Sequence, residues 1–375
     1  MPPNYEAYRQ LFPVAGEWAY LNHSAISPIS DRVAEAMHRV ISHGHREGWM
    51  GPHDVASGAE VRNQAAQLIG ATPEEVCFVT NTSEGINIVA NGLDWREGDN
   101  VISAETEFPA NIYPWKHLAR HGVELRLAPA RENRVLVDDI ARLMDARTRL
   151  VALSFVEFGT GYRNDLEAIG QLCRERGALL CVDGIQGVGA VPLDVRACQI
   201  DFLANGGHKW LMGVTGIGLF YCRRELIGQL KPARVGWCSV QDPDNYYCYD
   251  SALKEDATRW EIGCNNDIGR AALGAAIGTL LEVGIENVQT RIMALNDRLI
   301  DGLRAKGYRI TTPIAHRGER SGIICFNHPT HPVADLAERL RQARVVVSQR
   351  GAVIRVSPHF YSNQEDIDRL LAALS

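Results

Sequence analysis

The sequence predicts an α/β protein with a large domain built on a seven-stranded, mainly parallel sheet and a smaller C-terminal α/β domain. Three observations carry this. The chain has 375 residues, 46% hydrophobic and 22% charged, which is enough for a full core and for more than one small domain. From about residue 76 to 223, short apolar runs alternate with helical patterns, the signature of βαβ units. After residue 223 the alternation stops, and from about residue 286 it resumes on a smaller scale.

Taken in order, residues 1–20 form an N-terminal segment expected to pack with the small domain, 21–285 the large domain and 286–375 the small one. The expected strands of the large domain are Val76–Thr80, Asn100–Ala104, Val123–Ala128, Leu150–Val156, Leu179–Asp183, Phe202–Asn205 and Ile217–Cys222. Helices are expected between them at Glu84–Gly92, Ala110–Arg120, Val137–Met144 and Leu166–Arg176, with Gly122 and Gly177 placed as C-terminal stops. The stretch Val235–Arg259, which contains GWCSVQDPDNYYCYD, is too rich in Asp, Asn, Pro and Tyr for a helix or a core strand and reads as an ordered loop. Helices follow at Gly269–Val283 and Asn287–Lys306. The small domain then alternates strands (Tyr308–Thr311, Gly322–Phe326, Val345–Ser348, Val353–Val356) with helices (Val333–Ala343, Gln364–Leu374).

Composition excludes several classes. Net charge is −6 with no basic block, which argues against a nucleic-acid or anionic-membrane surface. The nine cysteines include no CxxC pair, so neither a zinc knuckle nor a disulfide scaffold is indicated. His43, His45 and His53 have spacing that fits no metal-ligand pattern. The N-terminus MPPNYEAYRQLF has no basic region followed by an apolar stretch, and a cytoplasmic protein with reduced thiols is the expectation. Of 39 lysines and arginines only five are lysines: Lys116, Lys209, Lys231, Lys254 and Lys306.

Chemistry-bearing residues gather at the C-terminal ends of the expected strands, where open α/β sheets bind ligands. Thr80-Asn81-Thr82-Ser83-Glu84-Gly85 opens a helix and offers free amides and hydroxyls to a phosphate. Val182-Asp183-Gly184-Ile185-Gln186-Gly187 leaves a carboxylate at the mouth of an apolar strand, and Gly206-Gly207-His208-Lys209-Trp210 leaves a lysine at another. Together these are what pyridoxal 5'-phosphate requires: an amine for a Schiff base, a carboxylate to keep the pyridine nitrogen protonated, and a phosphate cradle.

In this order the segments TNTSEGIN, EFPANIYPW, CVDGIQGVGAVPLDV, GGHKWLMGVTGIGLFY and IRVSPHFYSNQEDIDRLL resemble fold-type I, class V aminotransferases. Within that family they look most like the branch of cysteine desulfurases and isopenicillin N epimerase-like proteins, from about Tyr20 to the C-terminus. The resemblance implies that Lys209 is the Schiff-base lysine and Asp183 the partner of the pyridine nitrogen. It implies that Gln186 hydrogen-bonds the phenolic oxygen and that Thr82, Ser83 and His208 hold the phosphate. Phe108 falls where a ring stacks on the cofactor, Arg355 where an arginine grips the substrate α-carboxylate, and Asn22-His23-Ser24-Ala25 where the N-terminal segment lines the substrate pocket. The resemblance also implies a homodimer with active sites near the interface.

Two departures bear on the reaction. Cysteine desulfurases have a histidine at the position of Phe108, and a mobile loop before the C-terminal arginine carries their persulfide cysteine. Here that loop is Ser348-Gln349-Arg350-Gly351-Ala352, without cysteine. Gly263-Cys264-Asn265 stands where many relatives have Gly-Thr-Pro contacting the neighbouring subunit's phosphate, leaving Asn265 as the possible donor. The expectation is a pyridoxal phosphate enzyme that labilises the α-carbon of an amino acid or cysteine conjugate, with C–S β-lyase chemistry preferred. Epimerisation and transamination, an oxygen-dependent decarboxylating deamination, and a non-catalytic binding module are the alternatives.

Overall fold

The structure, a computed structural model, describes residues 3–48 and 58–374. The seven apolar runs form β1 (Val76–Val79), β2 (Asn100–Ala104), β3 (Glu124–Ala128), β4 (Thr148–Ser154), β5 (Leu179–Asp183), β6 (Phe202–Gly206) and β7 (Gly218–Cys222). They hydrogen-bond in the order β1-β7-β6-β5-β4-β2-β3, parallel throughout except β7, which is antiparallel to both β1 and β6. β1, β2, β6 and β7 are buried along their whole length. Strands covered on both faces need apolar residues at every position, which is why they read as continuous runs.

Among the helices that precede or connect these strands are α1 (Asp31–Glu47), α2 (Gly58–Ile69), α3 (Thr82–Gly92) and α4 (Leu166–Arg176), with a two-turn helix at Val137–Leu143. α5 (Asp267–Val283) packs against α1 and α2. α1 and α2 lie outside the expected elements, although Val33, Ala36 and Val40 are buried at three- and four-residue spacing and the Ser30 hydroxyl accepts from the Val33 amide. The helix expected at Ala110–Arg120 is broken into a 3-10 turn at Pro109–Asn111, one helical turn at Tyr113–His117 and a second 3-10 turn at Leu118–His121. Pro114 is responsible: its ring and missing N–H allow it at a helix start and disfavour helical backbone before it.

The C-terminal part contains α6 (Ile285–Ala305), β8 (Arg309–Ile310), β9 (Ile324–Asn327), α7 (Val333–Gln342), β10 (Ser348–Arg350), β11 (Val353–Val356) and α8 (Gln364–Ala373). Its antiparallel sheet has the order β8-β9-β11-β10. The strand expected at Val345–Ser348 is divided. Val345–Val346 pairs in parallel with Ala19–Tyr20, and Ser348 begins β10, so three residues expected in a loop belong to a strand. The turn between β10 and β11 is only Gly351-Ala352, with Gly351 at φ 52°, a left-handed conformation that glycine adopts without steric cost.

The N-terminal segment packs in two buried clusters: Phe12 and Ala15 join that of the central sheet, and later residues join that of the C-terminal part. Ala19 and Leu21 join the latter with Leu295, Leu336 and Ile354, and Arg9 pairs with Asp366 at 2.7 Å. The loop Val235–Arg259 contains a 3-10 turn at Trp237–Ser239 and a bridge from Val240 to Leu253, with Tyr246, Tyr247 and Tyr249 exposed. His43 and His45 lie on α1, His43 against Glu47 at 3.1 Å; His53 lies outside the described residues. Among the described residues no single helix is long and apolar enough to cross a membrane.

Candidate active site

A cavity of about 320 Å³ opens at the C-terminal edge of the sheet. It is lined by Thr82 and Ser83 from α3, Phe108 after β2, Asp183 at the end of β5 and Gln186 after it, and His208 and Lys209 after β6. Ser24 and Ala25 of the N-terminal segment and Arg350 and Arg355 of the β10–β11 hairpin close it from the small-domain side.

The start of α3 is fixed by local hydrogen bonds. The Asn81 side chain accepts from the Glu84 amide at 2.9 Å, while the Glu84 carboxylate accepts from the Thr80 amide and hydroxyl at 2.6 and 2.8 Å. This reciprocal cap leaves the first-turn amides of Thr82 and Ser83 without intrahelical acceptors. The Thr82 hydroxyl is buried and has no hydrogen-bond partner. A free helix N-terminus with an unpaired hydroxyl is built for an anion.

Asp183 ends β5, 2% exposed, and its Oδ1 accepts from the Ile185 amide at 3.0 Å. Burial pushes its carboxyl up to about 6, against the opposing pull of the Ile185 hydrogen bond and the Lys209 charge. Two further carboxyls, Glu107 and Glu157, are buried nearby. Ser154 donates both its amide and its hydroxyl to Glu107, and Asn164 donates to Glu157 at 2.8 Å. Burial raises Glu157 to about 7 and Glu107 well above the usual range, with the Asp183 charge adding to both. Of the three carboxyls, Asp183 is the one that lines the cavity.

Lys209 follows β6 in a tight turn in which the Gly207 amide donates to the Ile217 carbonyl and the Met212 amide to the Lys209 carbonyl. Burial pushes its amine down to about 8; Asp183 opposes this, while Arg355 and Arg350 reinforce it. An amine near 8 is partly neutral at physiological pH and so is available as a nucleophile and base. Its Nζ lies 5.7 Å from the centre of the Phe108 ring, which packs edge-on against Phe158 at 5.2 Å. The neighbouring His208 is lowered by burial and by the Lys209 charge.

Arg355, 1% exposed, donates from Nη1 to the Phe158 carbonyl at 2.8 Å and from Nε to Ser348 Oγ at 3.3 Å, while its buried Nη2 has no partner. Burial and the Arg350 charge lower it to about 10, still far above neutrality.

Of the residues singled out in the sequence, Thr82, Ser83, Phe108, Asp183, Gln186, His208, Lys209 and Arg355 meet in this one cavity. Asn22, His23 and Asn265 are not among its lining residues. His23 is fully buried behind it, its Nε2 2.8 Å from the Tyr361 hydroxyl, and the segment reaches the cavity through Ser24 and Ala25 instead. Asn22 bridges to Ser357, and Asn265 is exposed just before the Asn266 cap of α5. Arg350, Phe158, Glu107 and Glu157 were not read from the sequence as site residues. For Arg350 a signal existed: with Gly351-Ala352 as the turn, Arg350 pairs with Val353 and Ser348 with Arg355, which puts both arginines on one face of the hairpin.

A mainly parallel α/β sheet carrying a lysine, a carboxylate and a free helix N-terminus at one edge defines a pyridoxal phosphate type of site. The family description Aminotransferase class-V matches residues 19–370, and the chain belongs to that family. A cysteine desulfurase of Klebsiella pneumoniae is 34% identical, over 95% of this chain and 92% of that protein. A probable cysteine desulfurase of Methanothermobacter thermautotrophicus is 30% identical, over 97% and 96%. Among solved structures, the apo cysteine desulfurase of Thermococcus onnurineus superposes with a TM-score of 0.88 at 26% identity, covering 98% of this chain and 96% of that one. The cystine C–S lyase C-DES, in complex with its reaction product cysteine persulfide, superposes with a TM-score of 0.87 at 25% identity, covering 97% and 98%.

Proposed function

We propose that the protein is a pyridoxal phosphate-dependent C–S β-lyase acting on a cysteine conjugate. The cavity fits the cofactor on its own chemistry: an unpaired buried hydroxyl at Thr82 beside the free end of α3, a buried carboxyl at Asp183, and a lysine already lowered towards neutrality. Thr82, Ser83 and His208 would hold the phosphate, Asp183 a proton at the pyridine nitrogen, and Gln186 the phenolic oxygen. When bound, the cofactor supplies an aldehyde for Lys209 and a ring that accepts the electron pair left at the substrate α-carbon.

The remaining work falls to side chains. Arg355 would grip the substrate α-carboxylate with its unpartnered Nη2, and a charge-assisted bond there fixes the α-carbon for proton removal. Lys209 would take the α-proton, since the ring at residue 108 is phenylalanine and offers no base. The bond from β-carbon to sulfur then breaks, the pair leaves with the thiolate, and hydrolysis gives thiol, pyruvate and ammonia. In a homodimer, which forms part of this reading, the exposed Cys264-Asn265 segment would be offered to the partner's phosphate site.

One observation carries the preference for elimination over persulfide chemistry. The β10–β11 connection is a two-residue turn, and no cysteine lines the cavity among the described residues. Cys325, paired with Arg355 across the sheet, is buried and raised to about 11, so it offers little thiolate. The test is incubation of the cofactor-loaded enzyme with cysteine, cystine and S-substituted cysteines. Pyruvate is expected in equal amount to the sulfur leaving group, which is sulfide from cysteine, cysteine persulfide from cystine and a thiol from the S-substituted cysteines, and both are lost in Lys209→Ala. Alanine and sulfane sulfur from free cysteine, or no pyruvate from any conjugate, would overturn the reading.

A further inference from the structure

Gln186 is 3% exposed, and both ends of its carboxamide are engaged. The Trp210 indole N–H donates to its Oε1 at 2.9 Å, and its Nε2 donates to the Ser24 carbonyl at 2.9 Å. An indole nitrogen can only donate and a carbonyl can only accept, so these two partners fix which end of the amide is which. One N–H of Gln186 remains, and the residue lines the cavity.

Both jaws of this clamp are themselves held. Trp210 is fully buried; its carbonyl lies 3.1 Å from His359 Nε2, and a side-chain carbon on Gly322 would come within 2.3 Å of the indole ring. The Ser24 amide donates to Ser357 Oγ at 3.0 Å, the Ser24 and Ser357 hydroxyls lie 2.8 Å apart, and the Ser357 amide donates to Leu21 at 2.8 Å. Ser357 follows the Arg355 strand directly. The clamp thus joins the turn after β5, the turn after β6 and the N-terminal segment docked on the small domain.

We propose that Trp210 is a positioning residue: together with the Ser24 carbonyl it locks the Gln186 carboxamide so that its free N–H points into the cavity as a donor to an anionic oxygen of the bound ligand. In the pyridoxal phosphate reading, on which this rests, that oxygen is the phenolic one. Without the indole N–H the amide can rotate, and its carbonyl can face the phenolate instead. A donor at the phenolate drains charge that would otherwise hold the proton shared with the Lys209 nitrogen. Losing it strengthens that hold and moves the titration of the bound chromophore to higher pH.

The test compares wild type, Trp210→Phe, Gln186→Ala and the double variant, reading apoprotein melting temperature, pyridoxal phosphate affinity and the pH at which the visible band titrates. Trp210→Phe is expected to weaken the cofactor roughly three- to ten-fold, the scale of one hydrogen bond, and to raise the titration pH. In the Gln186→Ala background it should add nothing to the titration shift, since a purely structural tryptophan would act independently of residue 186. An unmoved titration in Trp210→Phe, or additive shifts in the double variant, overturns the inference while leaving the cofactor reading intact. No visible band in wild type overturns both. Should Trp210→Phe not fold, Gln186→Glu, which replaces the donor with an acceptor and leaves the tryptophan in place, is expected to raise the titration pH, and no change there overturns the inference.

Discussion

Asp183 shows the conflict between stability and chemistry at a single residue. Its carboxyl is buried and raised to about 6, so the folded chain binds that proton more tightly than the unfolded one. A group raised in this way contributes stability at low pH and loses it as pH climbs through about 6. Above that, the charged form costs on the order of 3 kcal/mol in the apoprotein. Asp183→Asn keeps an acceptor for the Ile185 amide and removes the charge. The apoprotein of this variant should therefore melt higher than wild type at about pH 7.5, with the gain fading toward about pH 4, while turnover collapses. Melting curves at several pH values check this, and a lower melting temperature at about pH 7.5 contradicts it. Lys209 and Asp183 were legible in the sequence because strand ends in parallel sheets are ligand sites and only five lysines compete for the role. Trp210, Glu107 and Glu157 were not, because their parts depend on contacts between turns distant in the chain.

At the scale of elements, α3 brings its N-terminus to the cavity by lying close on β6. Gly85 makes that approach possible: a Cβ there would fall 2.7 Å from the Ala204 Cβ and 3.3 Å from the Phe220 ring. Two effects oppose each other in Gly85→Ala. Alanine gains up to about 1 kcal/mol of helix propensity, whereas forcing a methyl into a packed contact costs about 1–3 kcal/mol. The contact wins, so the variant should be less stable in urea and bind pyridoxal phosphate more weakly as the helix end shifts from Thr82. Equal or greater stability would contradict this packing. The core strands were readable because burial on both faces leaves uninterrupted apolar runs. Boundaries near Pro114 and the division of Val345–Ser348 were not, since the first turns on one ring's sterics and the second on a partner strand at Ala19–Tyr20, more than three hundred residues earlier.

Across the whole molecule, the main buried cluster joins residues from both sides of position 285. Ile323, Cys325, Phe360 and Tyr361 pack in the same buried cluster as Val151, Leu180 and Leu203 of the central sheet, and Phe12 stacks on Tyr361 at 3.8 Å. Periodicity reports which face of an element is buried, not what it is buried against, so this continuity was hidden from the sequence. It has a functional consequence: Cys325, the cross-strand partner of Arg355, and Trp210, the neighbour of Lys209, belong to the same cluster, which ties Arg355 to the sheet edge that carries Lys209. That assembly has a single lysine at its centre. Lys231 pairs with Asp94 at 2.6 Å, and Lys116, Lys254 and Lys306 lie outside the cavity. The most direct measurement is to load the protein with pyridoxal phosphate, reduce it with borohydride, digest it and locate the modified peptide by mass. One phosphopyridoxyl group on Lys209, absent from Lys209→Ala, is the expected result; a label on another lysine, or the same labelling in the variant, would contradict it.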